Sequence, residues 1–391
     1  MFAVFKPARK VALAAISVVS AAVLAACNPT AIGSGGPTIN TSKPVPVALL
    51  VPKGSAQPGA AALAQSLENA ARLAMADLTN VQIDLRVYDT AGSAETAAAM
   101  ATQAVNDGAR IILGPVYGEA ANAAGLAVAN RNVNVLSFSN NATIAGGNLF
   151  ILGHTFNSTA DRLTSFAARQ GKGKMLVVHS SDVAGQVGRN AIQQAAAKSA
   201  ATVTGTVTYD LSQQSVIDSI PSIRSQVEST GSDTLFLTST TAGALPLLTQ
   251  LLPEAGVDPA VVQYVGLTRW DIPAQTLALP GVQGGWFALP DPVMAQRFHS
   301  RYQSAYGGAP HPIGGLAYDG IAAIGALVGA GKSDALTGGA LTQGAGFQGV
   351  SGIFRLRPDG TNERGLAVAT IQDKQVVIID PAPTSFSGPG F

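Results

Sequence analysis

The stretch ILGPVYGEAANAAGLAVANRNVNVLSFSNNA, Ile112–Ala142, holds one complete unit of the fold. An aliphatic run stops at Gly114–Pro115. An Ala-rich segment of helical length follows, and then a second apolar run, Val133–Ser139. Short, continuous apolar runs that alternate with helical segments mark parallel strands covered on both faces.

The unit recurs in both directions. Upstream, VPVALLVP (Val45–Pro52) precedes AALAQSLENAARLAMADL (Ala61–Leu78), and VQIDLRVYD (Val81–Asp89) precedes AETAAAMATQAVNDG. FILG (Phe150–Gly153) closes this first series. A second series follows: KMLVVHSS (Lys174–Ser181), ATVTGTVTYD, DTLFLTST (Asp233–Thr240) and VQYVGLTRW (Val262–Trp270), with helical segments between them. Two series predict an α/β protein of two lobes, each a doubly wound parallel sheet, joined by several crossovers. GGWFALPDP (Gly284–Pro292) and the helices after it are expected to complete the first lobe. The last segment, a hairpin around the PDG turn at Pro358–Gly360, is expected to complete the second. The expected boundaries are 45–154 plus about 284–345 for lobe 1 and 155–283 plus about 346–381 for lobe 2. Residues 382–391 form a tail.

The amino end has a different character. Lys6, Arg9 and Lys10 precede Val11–Ala26, which carries no charge. A membrane-spanning helix needs about 20 apolar residues; this shorter run, with small residues at its end, reads as a secretory signal over residues 1–26. The one cysteine, Cys27, follows at once and has no internal partner for a disulfide. LAAC (Leu24–Cys27) resembles the lipobox of bacterial lipoprotein signals, which implies cleavage before Cys27 and lipid on its sulfur. Each buried lipid CH₂ contributes roughly 0.8 kcal/mol, so a diacyl group meets the requirement for stable anchoring. Asn28 is not the aspartate that retains such proteins in the inner membrane, so the periplasmic face of the outer membrane is the expected address. Residues 27–44, rich in Gly, Pro, Ser, Thr and Asn, read as a flexible tether.

Apolar residues make up 47% of the chain and charged ones 12%, with a formal net charge of +1. That suits a large core and excludes disorder and nucleic-acid binding. ALVGAGKS (Ala326–Ser333) approximates a phosphate loop, but it closes an Ala-rich helix where Gly and Lys cap the end. His154, His179, His299 and His311 lack metal-ligand spacing. No GxSxG elbow or carboxylate pair stands out. The chain is not expected to be an enzyme, and no cofactor or metal is implied.

The order and spacing of Ile112–Ala142, FILGHTFNSTADRL (Phe150–Leu163), GGWFALPDP, FHSRYQSAYGGAP (Phe298–Pro310), AYDG (Ala317–Gly320) and FQGVSGIFRLRPDG resemble the leucine/isoleucine/valine-binding family of type I periplasmic binding proteins. The likeness spans about residues 45–380. Within that fold it is nearest to lipoproteins described as penicillin-binding-protein activators. The resemblance implies a regulator of peptidoglycan synthesis whose partner is a penicillin-binding protein. The alternative is a solute-binding receptor that serves an ABC permease for amino acids, amides or peptide-like ligands.

Open parallel sheets bind ligands beyond the carboxyl ends of their strands, and two lobes can close on a solute. In lobe 1 those ends place Tyr117, Gly118, Ser137, Ser139 and Asn140. In lobe 2 they place Ser181, Asp182, Thr238, Thr268, Arg269 and Trp270. Amino-acid receptors of the family hold the ligand carboxylate with lobe 1 hydroxyls and the ammonium with a lobe 2 carboxylate. Here Gly118 falls where a hydroxyl is usual and Thr268 where the acid is usual. Losing a partner for a desolvated charge costs several kcal/mol. Asp182 remains as a substitute anion. Arg269 and Trp270 suit a carboxylate or a flat group, so an anionic or amide-like ligand is expected.

Overall fold

The computed structural model describes residues 35–387. The signal segment and Cys27 lie outside the described residues. Lobe 1 is built on β1 (Val45–Val51), β2 (Ile83–Asp89), β3 (Ile111–Leu113), β4 (Asn134–Ser137) and β5 (Leu149–Ile151), all parallel, in the order β2-β1-β3-β4-β5. Helices α1 (Ala60–Ala76), α2 (Ala94–Asn106) and α3 (Gly118–Val128) are the intervening crossovers.

Strand alternation explains the two-sided cover. Val47, Leu49 and Val51 of β1 point into one core with Leu63, Leu67 and Ala71 of α1. Ala48 and Leu50 point into the other, against Ala97, Ala101 and Ala104 of α2 and Ala120, Ala121 and Ala124 of α3. Alanine at i, i+4 and i+7 lets the helix backbones approach the sheet closely.

Lobe 2 runs α4 (Phe156–Arg169), β6 (Lys174–Ser180), α5 (Val183–Ala197), β7 (Thr202–Tyr209), α6 (Gln213–Thr230), β8 (Thr234–Leu237), α7 (Leu245–Glu254), β9 (Gln263–Gly266) and β10 (Trp286–Leu289). Side-chain caps start its helices: Thr155, Asp182 and Ser212 each accept a backbone N–H from the first turn. The chain then returns to lobe 1 for α8 (Pro292–Tyr306), α9 (Gly315–Gly329), α10 (Gly338–Leu341) and a small antiparallel sheet of β11 (Phe347–Gly349), β12 (Gly352–Leu356) and β13 (Asn362–Arg364). It ends in lobe 2 with β14 (Ala367–Gln372) and β15 (Gln375–Asp380), giving the order β15-β14-β10-β9-β8-β6-β7.

Four boundaries differ from the sequence reading. Residues 286–289, expected in lobe 1, form β10 between β9 and β14 of the second sheet, where Trp286 packs edge-on against Phe166 at 4.9 Å. Residues 347–364, expected in lobe 2, lie on lobe 1, because Phe347, Val350, Phe354 and Leu356 are buried in its core. The tether expected to reach residue 44 is docked from Gly35 onward. Ile39 is buried in the lobe 1 core, Gly338 N–H donates to the Gly35 carbonyl at 2.9 Å, and the Asn134 amide donates to the same oxygen at 3.1 Å. The expected tail is also engaged: the Arg355 guanidinium of β12 sits over the Phe386 ring, 4.4 Å from its centroid, so the chain crosses between the lobes a fourth time. The hairpin around Pro358–Gly360 is present, joining β12 to β13.

The crossovers are tied to one another. Arg364, at the end of β13, reaches the Leu152 carbonyl of the first crossover and the Asp319 carboxylate of α9, at 2.5 and 2.9 Å. Asn362 donates to the Ile151 and Gly153 carbonyls, each at 2.8 Å. Arg162 of α4 donates to the Leu366 carbonyl of the third crossover at 2.6 Å and pairs with Asp380 at 2.9 Å. The Asp291 N–H of the second crossover bonds the Ser351 carbonyl. Removing one member of a buried ion pair strands the other charge, typically at a cost of about 3–5 kcal/mol. Arg364→Met should therefore lower stability by about that amount in denaturant titration, and adding Asp319→Asn should recover part of the loss.

Candidate functional site

The carboxyl ends of the two sheets hold the residues that the sequence reading assigned to the site. On the lobe 1 side, Gly114 has a φ of +88°, and a Cβ there would stand 2.2 Å from the Leu50 carbonyl oxygen. Only glycine lets the chain turn this sharply off β3. The turn delivers Tyr117 and Gly118 to the start of α3. Tyr117, Gly118, Ser139 and Asn140, read from the sequence as ligand contacts, line one cavity of about 530 Å³ together with Glu119, Asn141 and His154. The Asn140 carboxamide is exposed and makes no hydrogen bond. The Ser139 Oγ accepts the Asn141 N–H at 3.1 Å.

Ser137 is not at the surface of this cavity. It is fully buried, donates to the Pro115 carbonyl and accepts the Ser139 N–H, both at 3.0 Å. It braces the β3 and β4 loops against each other and positions Ser139.

On the lobe 2 side, Asp182 caps α5. Its Oδ1 accepts from Gly185 N–H at 3.0 Å and from the Ser180 hydroxyl, and these bonds hold its carboxyl below the usual range. It is therefore an anion at neutral pH. Ser181 is half-buried beside it, with its N–H on the Tyr209 carbonyl. Thr268 donates to the Ser239 carbonyl at 3.1 Å. Thr238 and Ser239 are buried, and neither hydroxyl has a partner. An unsatisfied buried hydroxyl costs about 1–3 kcal/mol, so two at one strand end mark a place where a ligand or water completes the bonding.

Two lobe 2 residues differ from the sequence reading. Arg269 is not a free cation: its guanidinium grips Asp271 through two bonds, at 2.9 and 2.5 Å. Trp270 is no ligand surface, being fully buried and stacked on Phe287 with centroids 6.4 Å apart. Its slot exists because residues 266 and 285 are glycine, where a Cβ would come within 2.2 Å of the indole. The apolar company of Trp270 lies on neighbouring strands and is invisible in its local sequence.

The sequence reading did not single out His154, which lines the lobe 1 cavity. His179 is buried and satisfied, with Nδ1 against the Ser180 carbonyl and Nε2 against the Thr208 hydroxyl. His154 is different. It stands exposed on the first crossover and lines the same cavity as Tyr117 and Ser139. The protein packed around the ring, with the guanidiniums of Arg364 and Arg269 nearby, holds its imidazole down to about 3. The signal was local: His154 follows the β5 run and precedes the Thr155 cap.

Residues 44–375 match the family described as Periplasmic binding protein, and the chain belongs to that family. Among solved structures it is similar to a branched chain amino acid ABC transporter periplasmic ligand-binding protein from Burkholderia xenovorans: 17% identity, 86% of this chain and 96% of that one, TM-score 0.64. It is also similar to the branched-chain amino acid transporter substrate binding protein LivJ of Streptococcus pneumoniae, solved with isoleucine (15%, 87% and 100%, TM-score 0.55). A third is a solute binding protein of an ABC transporter from Rhodopseudomonas palustris, solved with 3,4-dihydroxybenzoic acid (17%, 87% and 98%, TM-score 0.55). No curated protein matches the sequence. At these identities the likeness establishes the two-lobed fold. No helix among the described residues is long and apolar enough to cross a membrane.

The low value at His154 sets a sign for acid stability. The unfolded chain binds a proton at this residue near pH 6.5, while the folded chain resists it until about 3. His154 therefore costs no stability above pH 6.5, and the fold loses stability as pH falls through the window between the two values. Melting curves from pH 7 to 4 should show this loss, and His154→Gln should flatten that part of the profile.

Proposed function

We propose that the protein is the solute-binding receptor of an ABC importer and works outside the cytoplasm. One juxtaposition carries the reading: Tyr117, Gly118, Ser139 and Asn140 share a cavity on one lobe, while the other lobe presents Asp182 and the unpaired hydroxyls of Thr238 and Ser239. Such a crevice suits a small polar solute that brings hydrogen-bond donors to Asp182 and acceptors to the lobe 1 loops. Family membership and structural neighbours that are substrate- and ligand-binding proteins of ABC transporters support the same role. The penicillin-binding-protein activator suggested by the sequence stands behind it, since those neighbours capture solutes.

Lipid on Cys27 is the second part of the proposal. Residues 28–34 separate Cys27 from docked Gly35. Even fully extended, at about 3.3–3.6 Å per residue, that span is short of the protein's own dimensions. Gly35 and Gly36 are held by Asn134 and Asn132, at the amino end of β4. A lipid there would tether lobe 1 by the pole opposite the strand ends, leaving the crevice directed away from the bilayer.

A thermal-shift panel of amino acids, aliphatic amides and aromatic acids tests the receptor role. A true ligand at 100 times its Kd should stabilise the fold by about 2.7 kcal/mol, and Ser139→Ala or Asp182→Ala should weaken it about tenfold. Silence across the panel, with capture of a peptidoglycan synthase by the same protein, would restore the activator reading. Mass spectrometry of the product made in a bacterial host should find Cys27 lipidated at a new amino terminus; an unmodified thiol removes the anchor.

A further inference from the structure

A second groove, of about 630 Å³, lies on the crossover side of the molecule, between α5 with the start of α4 and the turn joining β12 to β13. It shares only Asn140 and Asn141 with the strand-end cavity. Six carboxamides line it: Asn140, Asn141, Asn157, Asn190, Gln194 and Asn362. Their existing bonds leave both kinds of group on offer. Asn141 and Asn190 already accept at Oδ1, from Thr143 and Arg189, which leaves their NH₂ groups. Asn157 spends its NH₂ on the Gln194 carbonyl at 3.0 Å, which leaves an acceptor on one and a donor on the other. At the floor, Asn362 is only 5% exposed, and with both amide hydrogens on backbone carbonyls its Oδ1 has no partner. A buried amide oxygen without a donor is a specific deficit that an incoming N–H would relieve.

The rest of the lining narrows the ligand. Asp161 and Glu363 face Lys198 and Arg357, so both charge signs are present. Lys198 approaches Asp161 only to 3.8 Å, and burial pushes the Asp161 carboxyl up, so this acid is incompletely compensated. Val183 and Val187, one helical turn apart on α5, are 77% and 40% exposed on the groove wall. A sugar chain would want an aromatic platform to lie on, and the groove offers only half-buried Phe156.

We infer that this groove binds a short peptide. Its backbone amides would pair with the carboxamide rows, its amino end or a basic side chain would meet Asp161, its carboxylate would meet Lys198 or Arg357, and one apolar side chain would cover Val183 and Val187. The groove adjoins the solute crevice, with Asn140 and Asn141 at the border, and its peptide role goes beyond the receptor role.

Calorimetry on the full chain tests this with the free peptides Lys-Val-Glu and Glu-Val-Lys, acetyl-Ala-Val-Ala-amide and, as the sugar control, the N-acetylglucosamine trimer. At least one peptide should bind. Asn190→Ala with Gln194→Ala, both exposed positions, should weaken it tenfold or more, and Asn362→Leu should do the same. Tyr117→Ala, at a position that lines the crevice and not the groove, should leave it unchanged while weakening the crevice ligand, so a failure of one site is distinguishable from a failure of the other. Binding of the trimer instead, no binding of any peptide, or peptide binding lost with Tyr117→Ala and kept in the groove variants would each overturn the inference.

Discussion

The whole arrangement depends on satisfying backbone groups where the chain leaves one sheet for the other. A crossover has no ladder partner, and its carbonyls still need donors. Here the donors are side chains from the helix and strand packed beside the crossovers, α4 and β13. Arg364 supplies one to Leu152, Asn362 supplies two to Ile151 and Gly153, and Arg162 supplies one to Leu366. Arg364 is itself buried and must be neutralised. Asp319 does this from α9, while the Phe354 ring covers the guanidinium at 5.1 Å. One arginine thus links the last long helix of lobe 1 to the first and third passages between the lobes.

That construction explains why the binding groups lie where they do. The sheets satisfy their own backbone internally, so unsatisfied polar groups collect where strands end. Lobe 1 ends in loops braced by Ser137, and lobe 2 ends in a capped helix and two unpaired hydroxyls. Charge at these ends is largely matched already: Arg269 is held by Asp271, and the Asp182 carboxylate is held by Ser180 and Gly185. A ligand therefore meets partly screened charge and oriented dipoles rather than one dominant ion, which favours small polar solutes over multiply charged ones.

The alternating strands and helices were legible because period and length carry them: β1, β2, β6 and β7 lie within the apolar runs that announce them. The short strands β3, β4 and β5 were also found, through Gly114–Pro115 and the spacing. Lobe membership was harder to read. Nothing in the local sequence of Trp286–Leu289 says which sheet adopts it; that follows from the antiparallel β14, more than seventy residues later in sequence. Likewise the polar run from Gly35 reads as a tether, because its anchors, Asn134 and Gly338, lie far along the chain. At the site, Tyr117, Gly118, Ser139 and Asn140, on loops directly after strands, come together in one cavity. Ser137 and Trp270 were misread because burial is decided by neighbouring strands, and His154 was passed over because one histidine without a metal partner carries no pattern.

The ties between crossovers also bear on how the lobes move. Asn362 holds two carbonyls of the first passage from the end of the β12–β13 hairpin, and Arg162 holds the third passage from the side of α4. Sliding one passage past another would break several of these bonds together, whereas bending all of them about a common line keeps each bond nearly intact. The inexpensive motion is therefore a hinge, and displacement grows with distance from the tied strip. Asp182 and Thr238, out at the lobe 2 strand ends, travel relative to Ser139, which suits capture and release. Asn362 is itself one of the ties, so the floor of the carboxamide groove stays with the strip while the α5 wall swings. The strand-end crevice and the groove therefore respond to a single rotation, one by opening its mouth and the other by changing the distance between one wall and a fixed floor.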